Sequence, residues 1–163
     1  MTQVAEVLTA LVRQRSTLAV AESLTGGLIG ATITTVSGAS KAFRGGVISY
    51  ATDLKQALLG VPEDLLLREG AVHPEVAAAM AAGVARLCEA TYGLAVTGVA
   101  GPEPQDGRPV GTVYVAVSGP HREIHQRQLS LKGSRERIRI ETMDQAIDLL
   151  ASVVKANEGE HSG

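Results

Sequence analysis

The chain has 163 residues and a mass of 16.9 kDa, which is one domain with one core, burying roughly 68 to 70 per cent of the surface that the unfolded chain exposes. Its 45% apolar content excludes disorder over most of its length, and its formal charge of −2 excludes the global basic field that gathers nucleic acid or an anionic membrane. Aromatic residues make up only 2%, so the core must be packed from Ala, Val, Leu and Ile, and stacking platforms for single-stranded nucleic acid are not expected.

In chain order, Val4, Leu8, Leu11 and Val12 recur at helical spacing, which predicts a helix over 2–14. Glu6 and Arg13 interrupt the apolar pattern there, so the start reads as an amphipathic helix and not a signal peptide, and no apolar run approaches the roughly 20 residues of a membrane span. Thr17 to Ala21 reads as a strand buried on both faces, followed by a helix from near Thr25. Gly45 to Ala51 reads as a strand, Asp53 to Leu59 as a short helix, and Pro74 to Thr91 as a long helix with Pro74 at its first position and Glu75 favouring its dipole. Gly93 to Thr97 is a further buried strand opening onto a Gly-rich loop.

Val110 to Val117 and Arg122 to Leu131 then read as two strands of a hairpin, joined across Gly119 and Pro120. A last helix starts near Ser134, with Ile138, Thr142, Ala146, Leu149 and Val153 on one face. Alternating strands and helices plus one hairpin predict an α/β fold, a three-layer α/β/α sandwich with a mixed, mostly parallel sheet. It spans a single domain over 1–157, with 158–163 expected to fray. Cys88 is the single cysteine, which rules out an intrachain disulfide, suits a reducing compartment and leads us to expect a cytoplasmic protein.

Open α/β sheets bind ligands at the carboxyl ends of their strands, and three such ends carry candidate residues. At the first, Ser23 lies where a buried strand turns into a helix, with Thr25, Gly26 and Gly27 next to it. That arrangement suits a nucleophile or an anion cradle of backbone N–H groups, or simply a helix cap by Ser23 or Thr25. At the second, Tyr50 ends a strand and Lys55 lies about one turn into the next helix, where it is either a solvated lysine or, if buried, a general base for a serine. At the third, Thr97, Gly98, Val99, Ala100 and Gly101 form a turn that can cradle a phosphate or carboxamide, or act only as a turn, and that matches neither the dinucleotide fingerprint nor the P-loop.

Ser152 and Lys155 fit the Ser-x-x-Lys spacing only by chance, inside a helix and without companion motifs. His121 and His125 lack a third ligand, so no metal is expected, and Cys88 beside Leu87 reads as a packed residue. Between 122 and 139 six basic residues face the two acids Glu123 and Glu136. Arg135 and Arg139, four apart on one helix face, can fork onto a phosphate or belong to a solvated surface.

Taken in order, AES-x-TGG, GGVISYATDLK with LGV, GAV, TGVAGP, PVGTVYVAV and GSRERIR give a specific set, running from about Val4 to Val153. The chain resembles the CinA C-terminal domain family, in the stand-alone form of the PncC-type nicotinamide-nucleotide amidohydrolases. That resemblance implies hydrolysis of the carboxamide of nicotinamide mononucleotide to nicotinic acid mononucleotide and ammonia, a pyridine-nucleotide recycling step. It implies a serine nucleophile at Ser23 working with Tyr50 and Lys55, and no cofactor. The family also occurs fused behind a domain resembling molybdopterin-binding proteins, for which this length leaves no room, and has been linked to competence and DNA damage. From that link comes a rival reading as a non-catalytic nucleotide-binding or regulatory module, although such a module needs no deprotonated lysine.

The expected partner is the small-molecule substrate, with no nucleic acid and no membrane, in a homo-oligomer such as a dimer. Three positions depart from the family pattern. Leu24 stands where cysteine is common, Ser134 where aspartate is usual, and His73 where a serine usually precedes the long helix, a lost cap worth about 0.5 to 2 kcal/mol.

Overall fold

The computed structural model describes residues 2–161. Its elements are α1 (Gln3–Arg13), β1 (Leu18–Glu22), α2 (Leu28–Thr34), a 3-10 turn (Ala39–Lys41), β2 (Phe43–Ile48), α3 (Thr52–Leu59), α4 (Glu63–Glu69), α5 (Pro74–Leu87), β3 (Tyr92–Gly98), β4 (Thr112–Ser118), β5 (Ile124–Ser130) and α6 (Arg135–His161). The five strands form one sheet in the order β2-β1-β3-β4-β5. β2, β1 and β3 run parallel, while β4 and β5 pair antiparallel as the expected hairpin, so the sheet is mixed, with parallel and antiparallel pairings in equal number.

Side-chain size along the strands decides how the helices sit. One face of the sheet carries Leu18, Val20, Leu94, Val96, Val113 and Val115, which pack with Leu8, Leu11, Ile29, Ile33, Ile138 and Leu150 of α1, α2 and α6. The opposite face alternates to small residues, Ala19, Ala21, Ala95 and Ala116, which lets α5 lie close against it through Val76, Met80 and Val84. Gly93 belongs to that small face: a Cβ there would lie 2.0 Å from the Ala81 carbonyl oxygen, so a larger residue would push α5 off the sheet.

Several boundaries move from their expected places, each for a local reason. α2 begins at Leu28 because Gly26 and Gly27 hold φ values of +58° and +107°, a left-handed turn that keeps the chain out of the helix. α5 ends at Leu87, with Cys88 as its C-cap and Glu89 in the left-handed region, so Cys88 lies at the helix end and not within it. α4 was not expected; seven residues are too few for a readable period, and it is held by buried Leu65 and Leu66. His73 does cap α5, its Nδ1 accepting from the Glu75 amide at 3.1 Å, so the expected loss of a cap does not occur. Ser134 likewise accepts from the Arg137 amide at 3.1 Å, at the start of α6.

The tail expected to fray is helical through His161, with Asn157 donating to the Tyr92 hydroxyl at 2.9 Å and Arg13 paired with Glu158. Ser162 and Gly163 of that tail lie outside the described residues. Among the described residues no helix is long and apolar enough to cross a membrane, and no three His, Cys, Asp or Glu side chains are placed to hold a metal ion.

Candidate active site

The parallel strands β1, β2 and β3 all end at one edge of the sheet, and the site is built on that edge. Ser23 follows β1 directly and is buried. The end of β2 is tied to it, because the Ser49 amide donates to the Glu22 carbonyl at 2.8 Å. That bond sets where α3 begins, and hence where Lys55 reaches. Lys55 is 1% exposed, and its Nζ lies 2.9 Å from Ser23 Oγ, 2.6 Å from the Ser49 carbonyl oxygen and 3.4 Å from that of Tyr50.

The three oxygens suit the three N–H donors of the protonated lysine, which donates to each of them. Once the amine loses a proton, the two carbonyls can keep its two remaining donors and its lone pair is left for the serine O–H. Burial pushes the Lys55 ammonium down from 10.5 to about 8, against an opposing pull from the Asp106 carboxylate. A serine held against an amine whose proton is this loosely held is placed where it can be activated as a nucleophile.

Tyr50 meets Lys55 through its backbone and not through its hydroxyl. Its side chain is 61% exposed on the rim, and its hydroxyl accepts from Arg135 at 3.0 Å. The lysine is held instead by the backbone carbonyls of Ser49 and Tyr50.

The Thr25 to Gly27 turn is not an open anion cradle. The carboxylate of Glu22, buried at the end of β1, accepts from the amides of Gly27 at 3.1 Å, Ile29 at 3.0 Å and Gly30 at 2.9 Å, so the start of α2 is satisfied by the chain itself. The Gly26 amide closes the turn onto the Ser23 carbonyl at 3.1 Å. Thr25 is fully buried. Sequence reading passed over Glu22, and the signal available was a carboxylate at the end of a buried strand just ahead of a Gly-Gly helix start.

We expect Glu22→Gln, which leaves one oxygen acceptor and turns an NH2 group toward the amides, to lower unfolding free energy by about 2 kcal/mol. A urea midpoint within error of wild type would show that this cap does not hold the turn.

Arg139 also departs from expectation. Its Nε donates to the Leu24 carbonyl at 3.0 Å and its Nη2 to the Thr25 carbonyl at 3.1 Å, so its fork pins α6 to the Ser23 turn and is not free for a phosphate. Thr97 is buried and donates its hydroxyl to the Ala71 carbonyl at 2.8 Å, a structural bond beneath the third loop. Ser152 and Lys155 are exposed on α6.

A cleft of about 380 Å³ opens over Ser23, lined also by Leu24, Tyr50, the Gly98 to Gln105 segment and Arg135. Its size is within the roughly 300 to 1,000 Å³ of small-ligand sites. Gly98, Val99, Ala100 and Gly101 of the turn therefore do face the cleft, together with Pro102 and with Glu103 to Gln105, which lie beyond that motif. Arg135 lies across the cleft, bonded to the Gly101 carbonyl and the Tyr50 hydroxyl, and Glu103 is the one acidic residue on its lining.

Comparison with known proteins agrees with this architecture. The model of the CinA C-terminal domain family matches residues 1–154. A CinA-like protein of Frankia casuarinae is 54% identical over 144 residues, which are 88% of this chain and 33% of that protein. A CinA-like protein of Myxococcus xanthus is 47% identical over 149 residues, 90% of this chain and 35% of that one. The chain thus spans about a third of the length of these curated relatives.

Among solved structures, a CinA-superfamily protein from Klebsiella pneumoniae superposes with a TM-score of 0.90 at 26% identity, over 94% of this chain and 96% of that one. The competence/damage inducible protein of Agrobacterium tumefaciens gives 0.84 at 29% identity, over 93% and 96%. The chain is a CinA C-terminal domain, a member of that family by sequence and by fold.

Proposed function

We propose that the chain hydrolyses the carboxamide of nicotinamide mononucleotide to nicotinic acid mononucleotide and ammonia. The observation that carries this reading is the buried contact of 2.9 Å between Lys55 Nζ and Ser23 Oγ at the floor of the cleft. An amide is a poor electrophile with a poor leaving group, so its hydrolysis needs an activated nucleophile, donors for the developing oxyanion and a proton for the departing nitrogen.

Lys55 takes the Ser23 proton as Oγ attacks the carboxamide carbon. The tetrahedral intermediate then loses its C–N bond, and the proton on Lys55 goes to the nitrogen, which leaves as ammonia. Water next gives a proton to Lys55 and attacks the Ser23 ester, and the carboxylate product leaves as Ser23 recovers its proton. The amides of Leu24, Ala100 and Gly101, on the cleft wall, are the donors we assign to the oxyanion and the carboxamide, since those of Gly26 and Gly27 are already used within the chain.

The deciding measurement is ammonia release when purified protein is given the nucleotide. Binding of the nucleotide without ammonia release would leave a nucleotide-binding module in place of an enzyme.

Arg135 is the residue we assign to the 5′-phosphate, because it is the cation on the cleft lining. Arg135→Ala should weaken the nucleotide by about tenfold more than the phosphate-free riboside, the loss of one charge-assisted contact. Arg139→Ala, which loosens the Ser23 turn, should affect both compounds alike. Equal weakening of both by Arg135→Ala would remove the phosphate assignment.

A further inference from the structure

Arg135 reaches from the start of α6 to two loops that line the cleft. One terminal nitrogen donates to the Gly101 carbonyl, after β3, and the other to the Tyr50 hydroxyl, after β2, at 3.0 Å. Both partners are neutral oxygens, which orient the guanidinium without cancelling its charge. Other arginines differ: Arg13, Arg127 and Arg137 each pair with a carboxylate, and Arg139 is spent on two carbonyls of the Ser23 turn. A guanidinium has five N–H donors, and these bonds use one on each terminal nitrogen, so every nitrogen of Arg135 keeps one for a ligand in the cleft.

Tyr50 is rooted firmly enough to hold such a group. Its carbonyl accepts from Lys55 Nζ at 3.4 Å, and the preceding Ser49 amide is fastened to the Glu22 carbonyl at 2.8 Å, so the backbone that seats the base also carries the phenol. The ring turns about only two side-chain bonds, and its hydroxyl meets Arg135. A long arginine side chain loses rotamer freedom when it closes on a ligand, and two oxygens that hold it beforehand reduce that loss. We propose that the Tyr50 hydroxyl is a positioning group that aims Arg135 at the phosphate of the substrate, and that it takes no part in the proton transfers between Ser23 and Lys55. The proposal rests on Arg135 being the residue that reads that phosphate.

Tyr50→Phe keeps the ring and removes the hydroxyl. KM for nicotinamide mononucleotide should rise about fivefold, with kcat within about twofold of wild type and KM for the phosphate-free riboside unmoved. In an Arg135→Ala background the same change should add nothing for the nucleotide, because the hydroxyl then has no guanidinium to hold. Ribose 5-phosphate, titrated into the full chain by calorimetry, should bind about fivefold more weakly to Tyr50→Phe, and no more weakly to the double variant than to Arg135→Ala.

A fall in kcat of about tenfold or more for nucleotide and riboside alike would put the hydroxyl in the chemistry and overturn the proposal. Unchanged KM and unchanged ribose 5-phosphate binding in Tyr50→Phe overturn it too, as do additive losses in the double variant. If the wild-type protein releases no ammonia from the nucleotide, the assigned reaction fails, and ribose 5-phosphate binding still decides whether Tyr50 aims Arg135. A wild-type chain that binds no ribose 5-phosphate ends the phosphate assignment and the proposal with it.

Discussion

Ser23→Ala should abolish ammonia release, by at least about a thousandfold, while leaving the fold in place. The substitution removes one oxygen at the end of β1 and nothing that holds the sheet together. β1 is anchored by its pairing with β2 and β3, and the turn after it by Glu22 and Arg139. Lys55 keeps its two carbonyl partners, so its seat is retained. The expected result is therefore a protein with near wild-type unfolding, undiminished nucleotide binding and no turnover. Ammonia release at the wild-type rate would exclude an acyl-enzyme on Ser23.

Much of this arrangement was legible from residues alone. Buried apolar runs such as Thr17 to Ala21 and Gly93 to Thr97 marked the central strands, and their ends pointed to Ser23 and the Gly98 to Gly101 loop. The residues alone offered Lys55 as a base for a serine if buried, and the family pattern was needed to pair it with Ser23, because 32 positions separate them and no local period links them. Tyr50 and Arg139 show why the remainder was not. Both belong to motifs near the site, yet whether a side chain reaches the cleft depends on partners far along the chain.

Arg139 meets the carbonyls of Leu24 and Thr25, and the Tyr50 hydroxyl meets Arg135, contacts that span 115, 114 and 85 positions. Glu22 was hidden for another reason. Its burial among backbone amides depends on the left-handed turn at Gly26 and Gly27, and a motif with two glycines reads equally well as an open anion site.

Lys55→Arg should be nearly inactive, and the pH profile of the wild-type protein explains why. A lysine serves as base only when neutral, and with Lys55 at about 8 roughly one molecule in ten holds the neutral amine at pH 7, against about one in two at pH 8. kcat/KM should accordingly rise about tenfold per pH unit below 8 and level off above it. The stability linkage has a definite sign. The folded-state value lies below the unfolded one, so the unfolded chain binds more protons between about 8 and 10.5, and this group's contribution to stability rises with pH through that window. Below pH 8 the buried ammonium costs about 3 kcal/mol, which the fold sustains to keep a titratable amine beside Ser23. Arginine stays protonated at every accessible pH, so it cannot take the serine proton. Its larger head must also enter a seat that is 1% exposed and 2.6 Å from the Ser49 carbonyl oxygen. Lys55→Met therefore belongs beside it, as a variant of similar length that lacks both charge and base. Both should lose activity and the rise toward pH 8 together. If Lys55→Arg retains most of the wild-type rate and the same profile, Lys55 acts only as a charge or a packing residue, and the proton from Ser23 goes elsewhere.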